Sequence, residues 1–154
     1  MLEVRRSLLV AYPVEHLFDV IEQAEHYPKF VPWCTGATIR ERSDDIVEAQ
    51  IQVEYHRLRF TFVTRNPKRR PQWLDVRLTE GPFRRFEGGW RFTPLTADAC
   101  RVEFTLRCEL SDWFGGRLAG SVFERVTNTL VDAFIRRAEM TYDAAVRARA
   151  AERP

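Results

Sequence analysis

The sequence predicts an α+β domain in which a curved antiparallel β-sheet wraps around a long C-terminal helix and encloses an apolar cavity. Two observations predict this fold class. Hydrophobic residues recur with a period of two between Cys34 and Leu110, and with a helical period before and after that stretch. The last helical stretch is also the only one long and apolar enough to cover the apolar face of such a sheet. We place one domain at residues 1–147 and a frayed tail at 148–154.

The first two predicted elements are a strand and a short amphipathic helix. Residues 2–11 mix apolar and polar side chains without a helical period, which predicts a strand that ends before Pro13. Proline suits the first turn of a helix, and apolar residues follow it at the spacing i, i+3, i+4 and i+7. They are Val14, Leu17, Phe18 and Ile21. Pro28 and Pro32 then end the helical segment, because a proline disfavours helical geometry in the residue before it.

About six strands are predicted between Cys34 and Leu110. The alternation of apolar and polar residues is clearest over Val47–Tyr55, and it is typical of a half-buried antiparallel strand. Similar alternation marks the runs Leu58–Phe62, Leu74–Leu78, Phe86–Phe92 and Val102–Leu110. Turn-forming residues separate the runs at Ser43–Asp45, Asn66-Pro67, Gly81-Pro82 and Thr93–Asp98. The strands are therefore expected to form a meander with one apolar face.

The helical period returns after Ser111. Ser121 and Glu124 have the spacing of a capping box. An apolar stripe runs through Leu118, Val122, Val126, Leu130, Ala133 and Phe134. These features predict one long helix, from Leu118 to about Arg147, that packs across the apolar face of the sheet.

Few residues suggest catalysis or metal binding. The histidines His16, His26 and His56 have no carboxylate or cysteine at ligand spacing. Cys100 and Cys108 share one face of a predicted strand and are expected to be small buried hydrophobic residues. The sequence has no phosphate-binding glycine loop and no nucleophile motif. We therefore expect no enzyme activity, no cofactor, no metal and no DNA partner.

The expected location is the cytoplasm. The amino terminus carries no targeting signal, and no stretch approaches the ~20 apolar residues of a membrane span. An odd number of cysteines without metal-type spacing argues against a disulfide framework and for a reducing compartment. A location at the periphery of the inner membrane is the alternative that we keep open.

The inward-facing side chains of the predicted strands are almost wholly apolar. General acid–base catalysis needs ionisable groups that face a pocket, and Tyr55 is the clearest polar group on this face. The pattern favours binding of an apolar small molecule over catalysis, although core packing is the commoner role of any single buried aromatic residue. From their inward parity we expect ligand contacts from Val53, Tyr55, Phe60, Phe62, Leu78, Phe104, Leu106, Phe123, Leu130 and Phe134.

Positive charge is concentrated in the middle of the chain. The net charge is +2, but the range Arg57–Arg91 contains ten basic residues and three acidic ones. By parity, six arginines point away from the apolar side and form a basic outer face of the sheet. They are Arg57, Arg59, Arg65, Arg77, Arg85 and Arg91. Such a face attracts an anionic partner such as a membrane, while a solvated sheet exterior is the commoner explanation of such charges.

Two motifs and the last helix resemble a known family. The motifs are the corner Tyr27–Cys34 (YPKFVPWC) and the run Gly81–Leu95 (GPFRRFEGGWRFTPL), and the helical segment is Val122–Phe134. Together they resemble the coenzyme Q-binding, START-like proteins of the polyketide cyclase and lipid transport superfamily. Bacterial members of this family also carry the name ribosome association toxin. The resemblance covers nearly the whole chain.

The resemblance implies a helix-grip (START-like) fold that holds ubiquinone or a similar lipid in an internal tunnel and supports cellular respiration. The toxin name implies binding to a ribosomal subunit, which blocks subunit association, within a type II toxin–antitoxin pair. By resemblance, five residues are expected at the cavity or its mouth. They are Phe30, Trp33, Phe86, Trp90 and Phe92.

Three functions are therefore weighed from the sequence. The first is non-catalytic binding of an apolar lipid-like ligand, with ubiquinone as the leading candidate. The second is a toxin that binds a ribosomal subunit through the basic outer face. The third is an enzyme of the polyketide cyclase kind, which would need several polar groups that converge inside the tunnel.

Overall fold

The structure of the protein, a computed structural model, describes residues 1–116 and 120–151. The described residues form seven strands, two α-helices and two short 3₁₀ helices. The strands are β1 (Leu2–Val10), β2 (Cys34–Arg42), β3 (Ile46–Tyr55), β4 (Leu58–Arg69), β5 (Trp73–Glu80), β6 (Phe83–Thr96) and β7 (Ala99–Leu110). The α-helices are α1 (Val14–Glu22) and α2 (Gly120–Ala151), and the 3₁₀ helices span Ala24–Lys29 and Asp112–Phe114.

All seven described strands belong to one sheet with the order β1-β7-β6-β5-β4-β3-β2. Strands β2 to β7 form the predicted antiparallel meander, whereas β1 pairs with β7, from Leu2 opposite Cys108 to Val10 opposite Cys100. The two edges of the sheet are thus β1 and β2, and α1 with the following 3₁₀ helix connects them. The predicted order of a strand, a helical segment, six strands and a long helix is confirmed.

The core lies between the inner face of the sheet and the two α-helices. Strand β7 shows the expected alternation, because its buried residues are Cys100, Val102, Phe104, Leu106 and Cys108. Helix α2 contributes Phe123, Val131, Phe134 and Ala138 to the same core. The ring centroids of Phe134 and Trp90 are 5.4 Å apart, which joins α2 directly to β6.

Strand β4 is longer than the sequence predicts. The turn predicted at Asn66-Pro67 is wrong, because β4 runs through both residues. Pairing between β4 and β5 skips the residues between Thr64 and Lys68. Pro67 lies in this gap, so the missing N–H of proline removes no ladder hydrogen bond to β5. A proline in an otherwise strand-like run therefore did not end the strand.

The turn predicted over Thr93–Asp98 is also too long. Strand β6 continues to Thr96 and pairs with β7, which leaves only Ala97 and Asp98 for the turn. The register is irregular between Pro94 and Thr96, and this local irregularity accommodates the proline at the end of the ladder.

Helix α2 confirms the predicted long C-terminal helix. It begins at Gly120, so Leu118, the expected first residue, lies outside the described residues, as does the side chain of Ser121 in the predicted capping box. At its other end the helix passes Arg147 and continues to Ala151, so the predicted frayed tail is helical up to that residue. Neither of the two described α-helices combines the length with the hydrophobicity that a membrane crossing requires.

Candidate functional site

A cavity of about 110 Å³ lies between the inner face of the sheet, the α1 segment and α2. Strands β3 to β7 all contribute to its wall, which is mostly apolar. Eight of the fifteen residues that the sequence predicts as ligand contacts line it. They are Trp33, Phe62, Phe86, Trp90, Phe104, Leu106, Leu130 and Phe134. The structure thus brings together side chains of the meander and of the last helix, which are far apart in the sequence.

The other seven predicted contacts lie outside the wall of this cavity, and their contact with a ligand stays a prediction. They are Phe30, Val53, Tyr55, Phe60, Leu78, Phe92 and Phe123. Phe92 packs against Phe18 of α1, with ring centroids 5.5 Å apart. Phe60 packs against Phe83 and Phe114 in an aromatic group that adjoins the wall residue Phe62. Parity identifies the face of the sheet on which a side chain lies but not its position along the strand, and the cavity occupies only part of that face.

Four polar residues of the wall were not predicted as ligand contacts. They are Glu22, Tyr27, Thr64 and Asn66. Residues 60, 62, 64, 66 and 68 share the inner face of β4, which changes from aromatic to polar along the strand. The signal was present in the sequence, but the wrongly predicted turn at Asn66-Pro67 concealed it. The expectation that inward parity supplies few polar groups is therefore wrong for this end of the cavity.

Glu22 stands at the polar end of the cavity within a buried ion network. Its Oε1 accepts hydrogen bonds from Nε of Arg42 at 2.8 Å and from Nζ of Lys68 at 3.3 Å. The side chains of Glu22 and Lys68 are about nine-tenths buried. Arg42 also donates to Glu25 from Nη2 at 2.9 Å, and its hydrogen bonds lower the pKa of Glu25. Two cations thus hold the Glu22 carboxylate in place beside the cavity.

Two buried polar atoms, Nε1 of Trp33 and Oδ1 of Asn66, have no hydrogen-bond partner within residues 1–116 and 120–151. They lie towards opposite ends of β3, because Trp33 precedes Cys34, which pairs with Val53, whereas Asn66 pairs with Val47. The indole nitrogen is a donor and the amide oxygen is an acceptor. Since buried polar groups are nearly always hydrogen-bonded, each of these atoms marks a place for a ligand or an ordered water.

The titratable groups of the cavity wall are few. The described residues of the cavity wall include no histidine and no cysteine. The Tyr27 hydroxyl donates to the carbonyl oxygen of Ile21, and burial raises its pKa. Cys34, Cys100 and Cys108 are buried, and burial raises the pKa of Cys108 to about 12. These thiols are therefore protonated at neutral pH.

The arginines predicted for the basic outer face are accessible to solvent, but most are neutralised. Five of the six form ion pairs, which are Arg59–Glu54 at 3.0 Å, Arg65–Glu41 at 2.6 Å, Arg77–Asp75 at 3.8 Å, Arg85–Glu87 at 3.5 Å and Arg91–Asp75 at 2.8 Å. Only Arg57 lacks an ion pair with a described residue. Charges of both signs therefore alternate on this face, which weakens its attraction for an anionic partner.

Unpaired positive charge lies instead beside the corner that precedes β2. Arg136 and Arg137 of α2 form no ion pair with any residue that the structure describes. The guanidinium carbon of Arg137 lies 5.2 Å from the centroid of the Phe30 ring, which is cation–π geometry. An open groove of about 330 Å³, which we call the corner groove, lies at this place. It is lined by Lys29, Phe30, Pro32, Thr129, Asp132, Ala133, Arg136, Arg137 and Met140.

Comparisons with known proteins agree with this architecture. The family model described as polyketide cyclase / dehydrase and lipid transport matches residues 10–135. The ribosome association toxin RatA of Escherichia coli K12 is 35% identical over 94% of this chain and 91% of its own length. The mitochondrial coenzyme Q-binding protein COQ10 homolog B of Xenopus laevis is 23% identical over 92% of this chain and 59% of its own length.

A solved structure supports the fold. A START superfamily protein from Mycobacterium smegmatis superimposes with a TM-score of 0.76 at 20% identity, covering 90% of this chain and 98% of its own. The helix-grip (START-like) fold expected from the two motifs is thereby confirmed. Because the family model matches most of the sequence, the chain belongs to the polyketide cyclase / dehydrase and lipid transport family.

Proposed function

We propose that the protein binds an apolar, ring-bearing small molecule in its cavity without converting it chemically, with a quinone-type lipid such as ubiquinone as the leading candidate. The observation that carries this proposal is the cavity itself, whose apolar aromatic wall includes two buried polar atoms that no described residue hydrogen-bonds. Small-molecule sites typically combine an apolar wall with a few placed polar groups in this way. A relative named as a coenzyme Q-binding protein supports the proposal.

Binding without catalysis is favoured by the chemistry of the wall. The family description includes cyclases and dehydrases, and such enzymes need groups that exchange protons with the ligand. The Glu22 carboxylate is engaged by two cations, and the Tyr27 hydroxyl by a backbone carbonyl. Both groups already serve the protein structure, so neither stands ready as a general acid or base.

The cavity volume limits how much of a lipid the protein encloses. About 110 Å³ is less than the ~150 Å³ that accommodates benzene in a protein interior. A quinone ring therefore needs side chains to move, and Phe62 and Phe86 are only half-buried. Burial of each CH₂ group away from water contributes ~0.8 kcal/mol, but the tail already has this free energy when it lies in a bilayer. Enclosure of an isoprenoid tail by the protein therefore gains little. We accordingly place the ring in the cavity and the tail outside.

Titration with a short-tailed ubiquinone analogue tests the proposal. Trp33 and Trp90 line the cavity, so bound ligand should quench tryptophan fluorescence saturably. Ala49 is a buried wall residue, and Ala49→Leu should fill the cavity and abolish this quenching. Ala138 is buried outside the wall, so Ala138→Leu serves as the matched control, which should lose about 1–3 kcal/mol of stability but retain binding. Absence of binding to the folded wild type would refute the proposal.

A second candidate function is binding to a ribosomal subunit. A relative with 35% identity over almost the whole chain is named as a ribosome association toxin. The corner groove supplies the unpaired cations that contact with RNA phosphates requires, whereas the outer face of the sheet is largely neutralised. The surface that we propose for this contact is therefore the corner groove and not the basic outer face.

Co-sedimentation with purified ribosomal subunits at increasing salt tests this second function. The double variant Arg136→Glu/Arg137→Glu should lose binding. The matched double variant Arg59→Glu/Arg77→Glu, which changes the same charge on the paired outer face, should retain most of it. If Arg59→Glu/Arg77→Glu loses binding and Arg136→Glu/Arg137→Glu retains it, the contact lies on the outer face of the sheet. If the wild type sediments with cardiolipin vesicles and not with ribosomal subunits, the result favours membrane docking.

A further inference from the structure

The polar end of the cavity contains more hydrogen-bond acceptors than the protein itself satisfies. The side-chain amide of Asn66 makes no hydrogen bond with a described residue, and its Oδ1 is buried. Oε1 of Glu22 accepts from both Arg42 and Lys68. Thr64 is 4% exposed and precedes Asn66 on the same face of β4, about 7 Å away. Buried acceptors left without donors are unfavourable, so this arrangement calls for a donor from outside the chain.

We propose that this polar end, formed by Glu22, Thr64 and Asn66, binds a hydroxyl group of the ligand, so that the cavity prefers a phenol or quinol ring to a hydrocarbon ring. A hydroxyl donates a hydrogen bond, which the buried amide oxygen of Asn66 accepts. A hydrocarbon ring offers no donor and leaves this oxygen unsatisfied. The inference rests on the proposed small-molecule function and specifies a hydroxyl-bearing ring as the ligand.

The opposite end of the cavity has the complementary requirement. The buried Nε1–H of Trp33 is a donor and needs an acceptor. A ligand that satisfies both atoms needs a donor and an acceptor that lie far apart, because Trp33 and Asn66 lie towards opposite ends of β3.

Two ligands of nearly equal size, 4-methylphenol and 1,4-dimethylbenzene, test the inference. The variant Asn66→Leu keeps the approximate side-chain volume and removes the amide. We expect the ratio of the two affinities, 4-methylphenol over 1,4-dimethylbenzene, to be about tenfold higher for the wild type than for the variant, because one hydrogen bond to a buried acceptor is worth roughly this factor. Isothermal titration calorimetry measures both ligands on both proteins.

A second measurement needs no variant and so remains decisive if Asn66→Leu does not fold. The side-chain amide resonances of Asn66 should shift when 4-methylphenol binds and should not shift with 1,4-dimethylbenzene. One outcome would contradict the inference alone: both ligands bind, Asn66→Leu leaves the ratio of their affinities unchanged, and the amide resonances of Asn66 do not shift. In that case the polar end holds only water, and the proposed function still stands. If neither ligand binds and ubiquinone analogues also fail, the proposed function and the inference fall together.

Discussion

The ammonium nitrogen of Lys68 lies 3.3 Å from Oε1 of Glu22, and the two side chains are only 9% and 10% exposed. The two residues are not equivalent in this pair. Glu22 has a second cation, Arg42, at 2.8 Å, whereas Glu22 is the one ion-pair partner of Lys68 in the described part of the chain. Loss of Glu22 therefore leaves a buried ammonium group uncompensated, and loss of Lys68 leaves the carboxylate still paired.

We predict an asymmetric response to substitution of this pair. Glu22→Gln should lower the free energy of unfolding by about 3–5 kcal/mol, because it removes the charge that compensates buried Lys68. Lys68→Met should cost less, because Arg42 still neutralises Glu22. Urea unfolding of both variants at neutral pH measures the difference. A larger loss for Lys68→Met than for Glu22→Gln would contradict this account.

The adjacent glycines of the second motif, Gly88 and Gly89, should differ in their tolerance of a side chain. A Cβ at Gly88 would lie 2.2 Å from the backbone oxygen of Thr105, and this backbone cannot yield without disturbing β7. A Cβ at Gly89 would meet the side chains of Asp75 and Arg91, which can move. Gly88→Ala should therefore cost roughly 1–3 kcal/mol and Gly89→Ala less than that. Thermal unfolding of the two variants compares them, and equal losses would show that the close approach to β7 does not matter.

The ion pair of Glu25 with Arg42 should make stability depend on acid pH. Hydrogen bonding by Arg42 lowers the pKa of Glu25 from its ordinary value of 4.5, so the folded state binds the proton less readily than the unfolded state. The resulting stabilisation is complete above about pH 4.5 and is lost as the pH falls through the lowered pKa. Glu25→Gln should therefore be less stable than the wild type at pH 6 and should converge with it as the pH falls through the lowered pKa of Glu25.

A matched glutamate provides the control for this pH dependence. Glu109 is exposed and has no ion pair among the described residues, so Glu109→Gln should track the wild type at every pH. Urea unfolding midpoints between pH 3 and pH 7 test both variants. A stability gap for Glu25→Gln that stays constant down to pH 3 would exclude the ionised pair as its cause.

The three thiols should be unreactive in the folded protein. Cys34, Cys100 and Cys108 are at most 4% exposed, and burial raises the pKa of each thiol, so the reactive thiolate is scarce at pH 8. Ellman's reagent should label none of them rapidly in buffer, and all three after unfolding in urea. Rapid labelling of one thiol in the native state would mean that its burial is incomplete in solution.

The fold was predictable from the sequence because the strand-like alternation and the helical periodicity both indicated the same arrangement, a sheet with one apolar face covered by a long helix. In β7 the alternation of buried and exposed residues continues without interruption from Cys100 to Cys108, and α2 carries an apolar stripe long enough to cover it. The strand boundaries were less predictable. Asn66-Pro67 has the composition of a turn, but pairing with β3 on one side and a gap in the β5 pairing on the other keep it in a strand.

The polar end of the cavity and the neutral outer face could not be derived from parity. Glu22 belongs to α1, and its partners come from β2 and β4, so their meeting depends on how distant elements are placed. In the same way, the pairing of Arg65 with Glu41 depends on the lateral order of β2, β3 and β4. Alternation assigns a side chain to a face, whereas charge compensation depends on neighbours in other strands.

The position of β1 at the edge of the sheet has a consequence for biosynthesis. Its only strand partner among the described residues is β7, which is the last strand to be synthesised. Val4 and Val10 therefore remain uncovered while the six other strands emerge from the translating ribosome. During that interval the nascent chain presents an unpaired apolar strand, which other chains can capture. Strand β1 can thus take its place in the sheet only after translation has passed Leu110.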